Sequence, residues 1–175
     1  MKKNIILLFL NLLFLIANAQ QPSQPPCSLP VYRQFDFWIG EWEAFTTNDK
    51  KAGDSKISLI LDSCIILEEW TSTSVTNGVR YAGKSYNTYN AASQKWQQYW
   101  VDNVGGVTEY FNGHYEENKM IVETDNKKQA DGSYKIQKMT FYNLSPDKVR
   151  QHGESSTDDG KTWTTDFDLE YRRKK

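Results

Sequence analysis

Turn signals recur along this chain at short intervals, and no long helix-period segment fills the gaps between them. Asn48-Asp49, Asn77-Gly78, Asn90, Gly105-Gly106, Glu117-Asn118, Asp131-Gly132, Ser145-Pro146-Asp147 and Asp158-Asp159-Gly160 punctuate runs rich in β-branched and aromatic residues. Gly and Asn tolerate positive φ, and Pro fixes its own φ, so these residues bend a chain where others resist. The runs between them have strand length and place strands at 41–47, 55–62, 64–74, 79–89, 95–102, 106–114, 119–125, 133–143, 147–155 and 162–172, about ten in all. Strands joined in order by short turns form an antiparallel meander, and closing it into a β-barrel removes its edges. A two-sheet sandwich is the alternative that the same pattern allows.

Period-two alternation is cleanest in the last run. Trp163, Phe167, Leu169 and Tyr171 share one face; Thr164, Asp166, Asp168, Glu170 and Arg172 share the other. That is the signature of a half-buried strand. At 133–143, Tyr134 and Ile136 fall on one parity and Met139 and Phe141 on the opposite one, so a bulge near Gln137-Lys138 is expected. The one short helical candidate is Val31–Ile39, where Phe35, Trp38 and Ile39 follow helical spacing for one or two turns in α or 3₁₀ geometry.

The N-terminus has the three parts of a secretory signal peptide at 1–19. Lys2 and Lys3 are basic, Ile5–Ile16 is apolar except for Asn11, and Ala17-Asn18-Ala19 offers a small-x-small cleavage site. The apolar run falls short of the ~20 residues that span a bilayer, which disfavours an uncleaved anchor. Cys27 lies too far past Ala19 to take a lipid. Residues 20–30 carry four prolines with Gln and Ser and read as a Pro/Gln-rich linker. Residues 31–175 are then expected to form a single barrel domain, exported to the periplasm or the extracellular space. Without Lys2 and Lys3 the 21 basic residues become 19, against 22 acidic ones interspersed with them. That balance argues against nucleic acid or an anionic membrane surface as partner. No transmembrane segment is expected in the mature chain.

An exported compartment permits a disulfide between Cys27 and Cys64. Such a bridge would tie the N-terminal lead-in to the sheet. The alternative is one buried thiol and one exposed thiol.

Two motifs inform the fold. Phe35-Asp36-Phe37-Trp38-Ile39-Gly40-Glu41-Trp42 sets a helical turn before a Gly-x-Trp strand opening, which resembles the start of a lipocalin-like barrel. That resemblance implies that Gly40 turns the backbone, that Trp42 plugs the floor, and that Arg172 or Arg173 lies over the indole. Ser156-Thr157-Asp158-Asp159-Gly160-Lys161-Thr162-Trp163 fits the Asp-box of sialidase propellers. Propellers repeat the box in blade after blade, whereas this chain has one copy, so here it reads as a hairpin device and not as a sign of glycosidase activity.

Read together, these motifs with Leu61-Asp62-Ser63-Cys64, Glu68-Glu69-Trp70, Gly83-Lys84-Ser85-Tyr86-Asn87, Trp96-Gln97-Gln98-Tyr99-Trp100-Val101-Asp102 and Val149-Arg150-Gln151 resemble an exported bacterial family of unknown function. That family is similar to the calycin, or lipocalin-like, β-barrels, and it brings no assigned activity. One departure is Glu69, where the family pattern leads us to expect a neutral Asn.

Strand parity turns the same blocks into a candidate site. Glu68 and Trp70 share one face, Ser85, Asn87 and Tyr89 another, and Trp96, Gln98, Trp100 and Asp102 a third. Large aromatics mixed with a few polar groups suit a ligand cavity. The expected ligand-binding set is therefore Glu68, Trp70, Ser85, Asn87, Tyr89, Gln98, Trp100, Asp102 and Arg150. Its expected partner is a small hydrophobic or aromatic molecule carrying a polar group. Two alternatives use the same residues: a barrel enzyme with Glu68 and Asp102 as an acid/base pair, and a structural or interaction domain whose aromatics fill the core. His114 and His152 are isolated, and no phosphate loop or nucleophile elbow is present, so no metal and no cofactor is expected.

Overall fold

The computed structural model describes residues 25–175. The expected signal peptide at 1–19 and the start of the linker, 20–24, lie outside the described residues. Two 3₁₀ turns, Pro30–Arg33 and Asp36–Trp38, precede the sheet. The strands follow as β1 Gly40–Thr46, β2 Lys51–Ile60, β3 Ile65–Thr76, β4 Val79–Asn90, β5 Lys95–Asp102, β6 Val107–Glu116, β7 Lys119–Glu123, β8 Lys127–Lys128, β9 Tyr134–Ser145, β10 Lys148–Ser156 and β11 Thr164–Arg173. Each long strand pairs antiparallel with its neighbours in the chain, and β1 pairs with β11. The ten long strands therefore close into a barrel, which sets the sandwich aside. The two-residue β8 pairs only with the start of β9.

Closure follows from local chemistry. Asn77-Gly78 and Glu117-Asn118 both take positive φ at two successive residues, the type I′ geometry whose twist matches the strands it joins. The Asp-box caps the β10–β11 hairpin. Asp158 accepts from the backbone N–H of Thr162 at 2.9 Å and from its hydroxyl at 2.7 Å, and these bonds hold its carboxyl near 2.

One end of the barrel is plugged. Phe35 stacks on Trp38 with centroids 5.0 Å apart, and Phe141 meets Trp38 at 4.5 Å and Phe35 at 4.9 Å. Trp42 donates its indole N–H to Trp38 O at 2.8 Å. A disulfide joins Cys27 to Cys64 in the β2–β3 turn and fixes the lead-in to this end. Of the two arginines expected over Trp42, Arg173 takes the place, with its guanidinium 4.2 Å from the ring. Arg172 instead stacks on Phe45 and pairs with Asp49 and Glu170. Register decides this, because Arg173 is the residue opposite Trp42. Gly40 has φ +144°, and a Cβ there would lie 2.1 Å from the Arg173 guanidinium, so the cation–π contact requires glycine.

Two parity expectations need correction. No register shift occurs at Gln137-Lys138. Gln137, Met139 and Phe141 all face inward; the alternation looked broken because the inner face is polar at Gln137. The bulge lies instead across Gly153/Glu154, where Gly153 faces Phe167 but Glu154 faces Thr165. It flips the parity of β11, so Trp163 does not share the inward face of Phe167. Trp163 packs under the Lys138 ammonium at 3.8 Å, on the outside.

Candidate functional site

The half of the barrel opposite the plug holds a cavity of about 580 Å³. Thr46, Lys50, Thr73 and Ser74 line its mouth, while Glu68, Gln98, Tyr110, Gln151 and Tyr171 line its inner part. Trp70, Trp100 and Phe167 form the walls.

Glycines explain why these rings leave room. A Cβ on Gly53 would come within 2.6 Å of the Trp70 indole, and one on Gly83 within 2.2 Å of the Trp100 indole. A Cβ on Gly153 would lie 2.4 Å from Phe167. Each ring thus lies flat against a strand that has no side chain there, and the space in front of it stays open.

A polar belt runs around the inner wall. Glu68 is only 2% exposed. Its Oε1 accepts from Ser55 Oγ at 3.0 Å and its Oε2 from Ser85 Oγ at 3.0 Å, with Tyr171 Oη 3.4 Å from Oε1. Tyr171 gives its one hydroxyl hydrogen to Gln151 Oε1 at 2.5 Å. Asn87 donates to Ser85 Oγ at 2.9 Å and accepts from Gln98 Nε2 at 2.8 Å. Burial pushes the Glu68 carboxyl up to about 7, against the lowering effect of the Ser85 and Ser55 hydroxyls. Burial likewise raises Tyr110 to about 12 and Tyr171 well above its ordinary value.

Asp102 organises the mouth. Its Oδ1 accepts from the N–H groups of Val104 at 3.0 Å and Gly106 at 2.7 Å, which shapes the β5–β6 turn. Its Oδ2 accepts from Tyr81 Oη at 3.0 Å and Trp100 Nε1 at 3.4 Å. Partial burial pushes this carboxyl up, but the Gly106 and Val104 N–H groups, with Tyr81 and Trp100, outweigh it and hold the pKa low.

Of the nine residues expected to bind ligand, Glu68, Trp70, Gln98, Trp100 and Asp102 line the cavity. Ser85 and Asn87 stand behind them in the belt. Two lie elsewhere. Tyr89 packs on Tyr32 and Trp96 at the plugged end. Arg150 lies on the outer face, where it makes two 2.8 Å hydrogen bonds to Asp168. Parity places it there, since its neighbours Val149 and Gln151 point inward. Glu68 and Asp102 line the same cavity but are held by separate sets of partners and do not hydrogen-bond each other. Sequence reasoning missed Tyr110, Gln151 and Tyr171 as cavity groups. The inward parity of a Gln between Val149 and Gly153 was the available signal for Gln151.

Among the described residues no helix is long and apolar enough to cross a membrane. In comparison with known proteins, the chain matches no family model and no curated protein. The likeness that stands is one of architecture: a closed ten-stranded antiparallel barrel, compatible with a lipocalin-like fold.

Proposed function

We propose that this chain is an exported small-molecule-binding barrel whose ligand combines a flat apolar or aromatic body with a polar group. The observation that carries the reading is the cavity of about 580 Å³, walled by rings that glycines hold flat and floored by hydrogen-bonding side chains. That volume lies within the range of roughly 300–1,000 Å³ typical of ligand pockets. Glu68, Trp70, Gln98, Trp100 and Asp102 would touch the ligand or border it, with Ser85 and Asn87 behind them. The Cys27–Cys64 bridge supports an oxidising compartment, in line with the export signal read from residues 1–19.

The test uses the neutral probe N-phenyl-1-naphthylamine, which fluoresces on leaving water. Saturable enhancement with one probe per chain is expected, together with a change in tryptophan emission. Met139→Trp, which fills the cavity from β9, is expected to abolish it. No enhancement, or enhancement untouched by Met139→Trp, would leave the barrel without a binding role.

A further inference from the structure

Glu68 is the one charged side chain in the inner belt, and the Ser55 and Ser85 hydroxyls direct their hydrogens to it. The direction can be traced from a main-chain anchor. The Ile66 carbonyl can only accept, so Asn87 must turn its Nδ2 to it, at 3.0 Å. The other hydrogen of that nitrogen goes to Ser85 Oγ, and Ser85 directs its own hydrogen to Glu68. Asn87 thereby presents Oδ1 to Gln98, which must donate from Nε2. Gln98, itself 2% exposed, is left with an acceptor, Oε1, that has no partner among the described residues. Its cross-strand neighbour Tyr110 is 5% exposed, lines the same cavity, and makes no side-chain hydrogen bond among the described residues.

The belt therefore presents a carboxylate, an amide oxygen and a phenol oxygen, and no cation. The groups facing Glu68 are Ser55 from β2, Ser85 from β4 and Tyr171 from β11, with Asn87, Gln98, Tyr110 and Gln151 completing the belt. Only the tyrosines among these titrate. Tyr81 and Asp102 stand farther out, at the mouth, as do Lys50 and Lys51, the latter paired with Glu43 and Asp54. A buried carboxylate with hydroxyl donors but no counter-charge is costly to ionise. The flat faces of Trp70, Trp100 and Phe167 attract positive charge.

We propose that the ligand is an organic amine bound as its ammonium ion, with Glu68 as counter-ion and Gln98 Oε1 and Tyr110 Oη accepting its remaining N–H bonds. This rests on the ligand-binding reading above and narrows it to one chemical class. An ammonium has donors and no acceptor, which complements three acceptors. An anion would meet no positive group at the belt. When Glu68 starts protonated, the ammonium brings its own proton, and the carboxyl proton leaves to solvent.

The experiment is displacement of N-phenyl-1-naphthylamine at pH 8 by 2-phenylethylamine, 2-phenylethanol and 3-phenylpropanoate, in the wild type and in Glu68→Gln. The amine is expected to displace best and the carboxylate worst. Glu68→Gln should weaken the amine by about thirtyfold or more while leaving the alcohol within about threefold. Calorimetry at pH 6 in two buffers of different ionisation enthalpy should show close to one proton released per amine bound by the wild type. Equal displacement by amine and alcohol, or no proton release, would overturn the amine assignment while the binding reading stands. Should Glu68→Gln lose the probe altogether, the wild-type ranking and proton count still decide. A wild type that never binds the probe fails the binding reading itself, and this assignment with it.

Discussion

At the plugged end, Phe35, Trp38, Trp96 and Phe141 are buried and pack ring against ring, with Trp42 buried beside them under Arg173. At the open end, Trp70, Trp100 and Phe167 are as large and as inward-facing, yet they leave about 580 Å³ between them. The difference lies in what each ring rests on. The plug rings pack face or edge against other rings brought in by the 3₁₀ turns. The wall rings lie on glycines of the neighbouring strand. Aromatic content alone thus says nothing about whether a barrel is full. The residue across the strand decides whether a ring projects into the lumen or lies along its wall.

The largest effect that should separate the two ends comes from truncating a ring in each. Phe141→Ala removes a ring packed against Trp38 and Phe35 and should cost about 3–5 kcal/mol in urea unfolding. Trp100→Ala enlarges a space that already exists and should cost less than half as much. Equal costs would mean that the open end is as tightly packed as the plug. Next in size is the disulfide. Its closed loop, spanning a sequence separation of 37 residues, should make the double Cys27→Ser/Cys64→Ser variant about 3–4 kcal/mol less stable by loop-closure entropy. Probe binding at the far end should be unchanged in folded protein. Loss of binding in that variant would show that the plug shapes the cavity.

The difference between the ends also marks how far the sequence could be read. Turn chemistry and alternation located ten strands to within a few residues, because a half-buried strand repeats with period two whatever packs on it. The same alternation assigned Glu68, Trp70, Gln98 and Trp100 to inward faces. It misled where a bulge intervened, as at Trp163, or where an inward residue was polar, as at Gln137. Arg150 lies on the outward parity of β10, between the inward Val149 and Gln151, and pairs with Asp168 there. Tyr89 has inward parity, but depth along the barrel axis put it against the plug, and parity carries no information about depth. The seating of rings on glycine depends on opposite or diagonal neighbours across strands, which become legible only once register is known.

The third effect concerns the belt that lies between plug and mouth. Glu68 binds its proton more tightly when folded, near pH 7, than in an unfolded chain, near 4.5. The folded state therefore holds more protons between those values, and stability falls as pH rises through that window. The contribution is full below the unfolded value and lost above about 7, and it is on the order of 3 kcal/mol. Glu68→Gln removes the titration, so the variant should gain on the wild type by about that amount between pH 4.5 and pH 8. Urea midpoints across that range provide the check. Parallel profiles would mean that the belt accommodates the charge without cost.

The smallest effect goes to the cause of the difference. Gly83→Ala places a methyl where the Trp100 indole lies, so the ring must leave the wall and swing toward the lumen. Overpacking of this kind should cost about 1–2 kcal/mol and weaken N-phenyl-1-naphthylamine by narrowing the cavity. Substituting a strand glycine by alanine also carries an intrinsic β-propensity change, which runs in the stabilising direction. The two contributions separate in a double-mutant cycle. In a Trp100→Ala background there is no ring to displace, so Gly83→Ala should there cost nothing or stabilise slightly. An undiminished cost in that background would place the strain in the β4 backbone instead, and the ring-on-glycine account of the open end would fail.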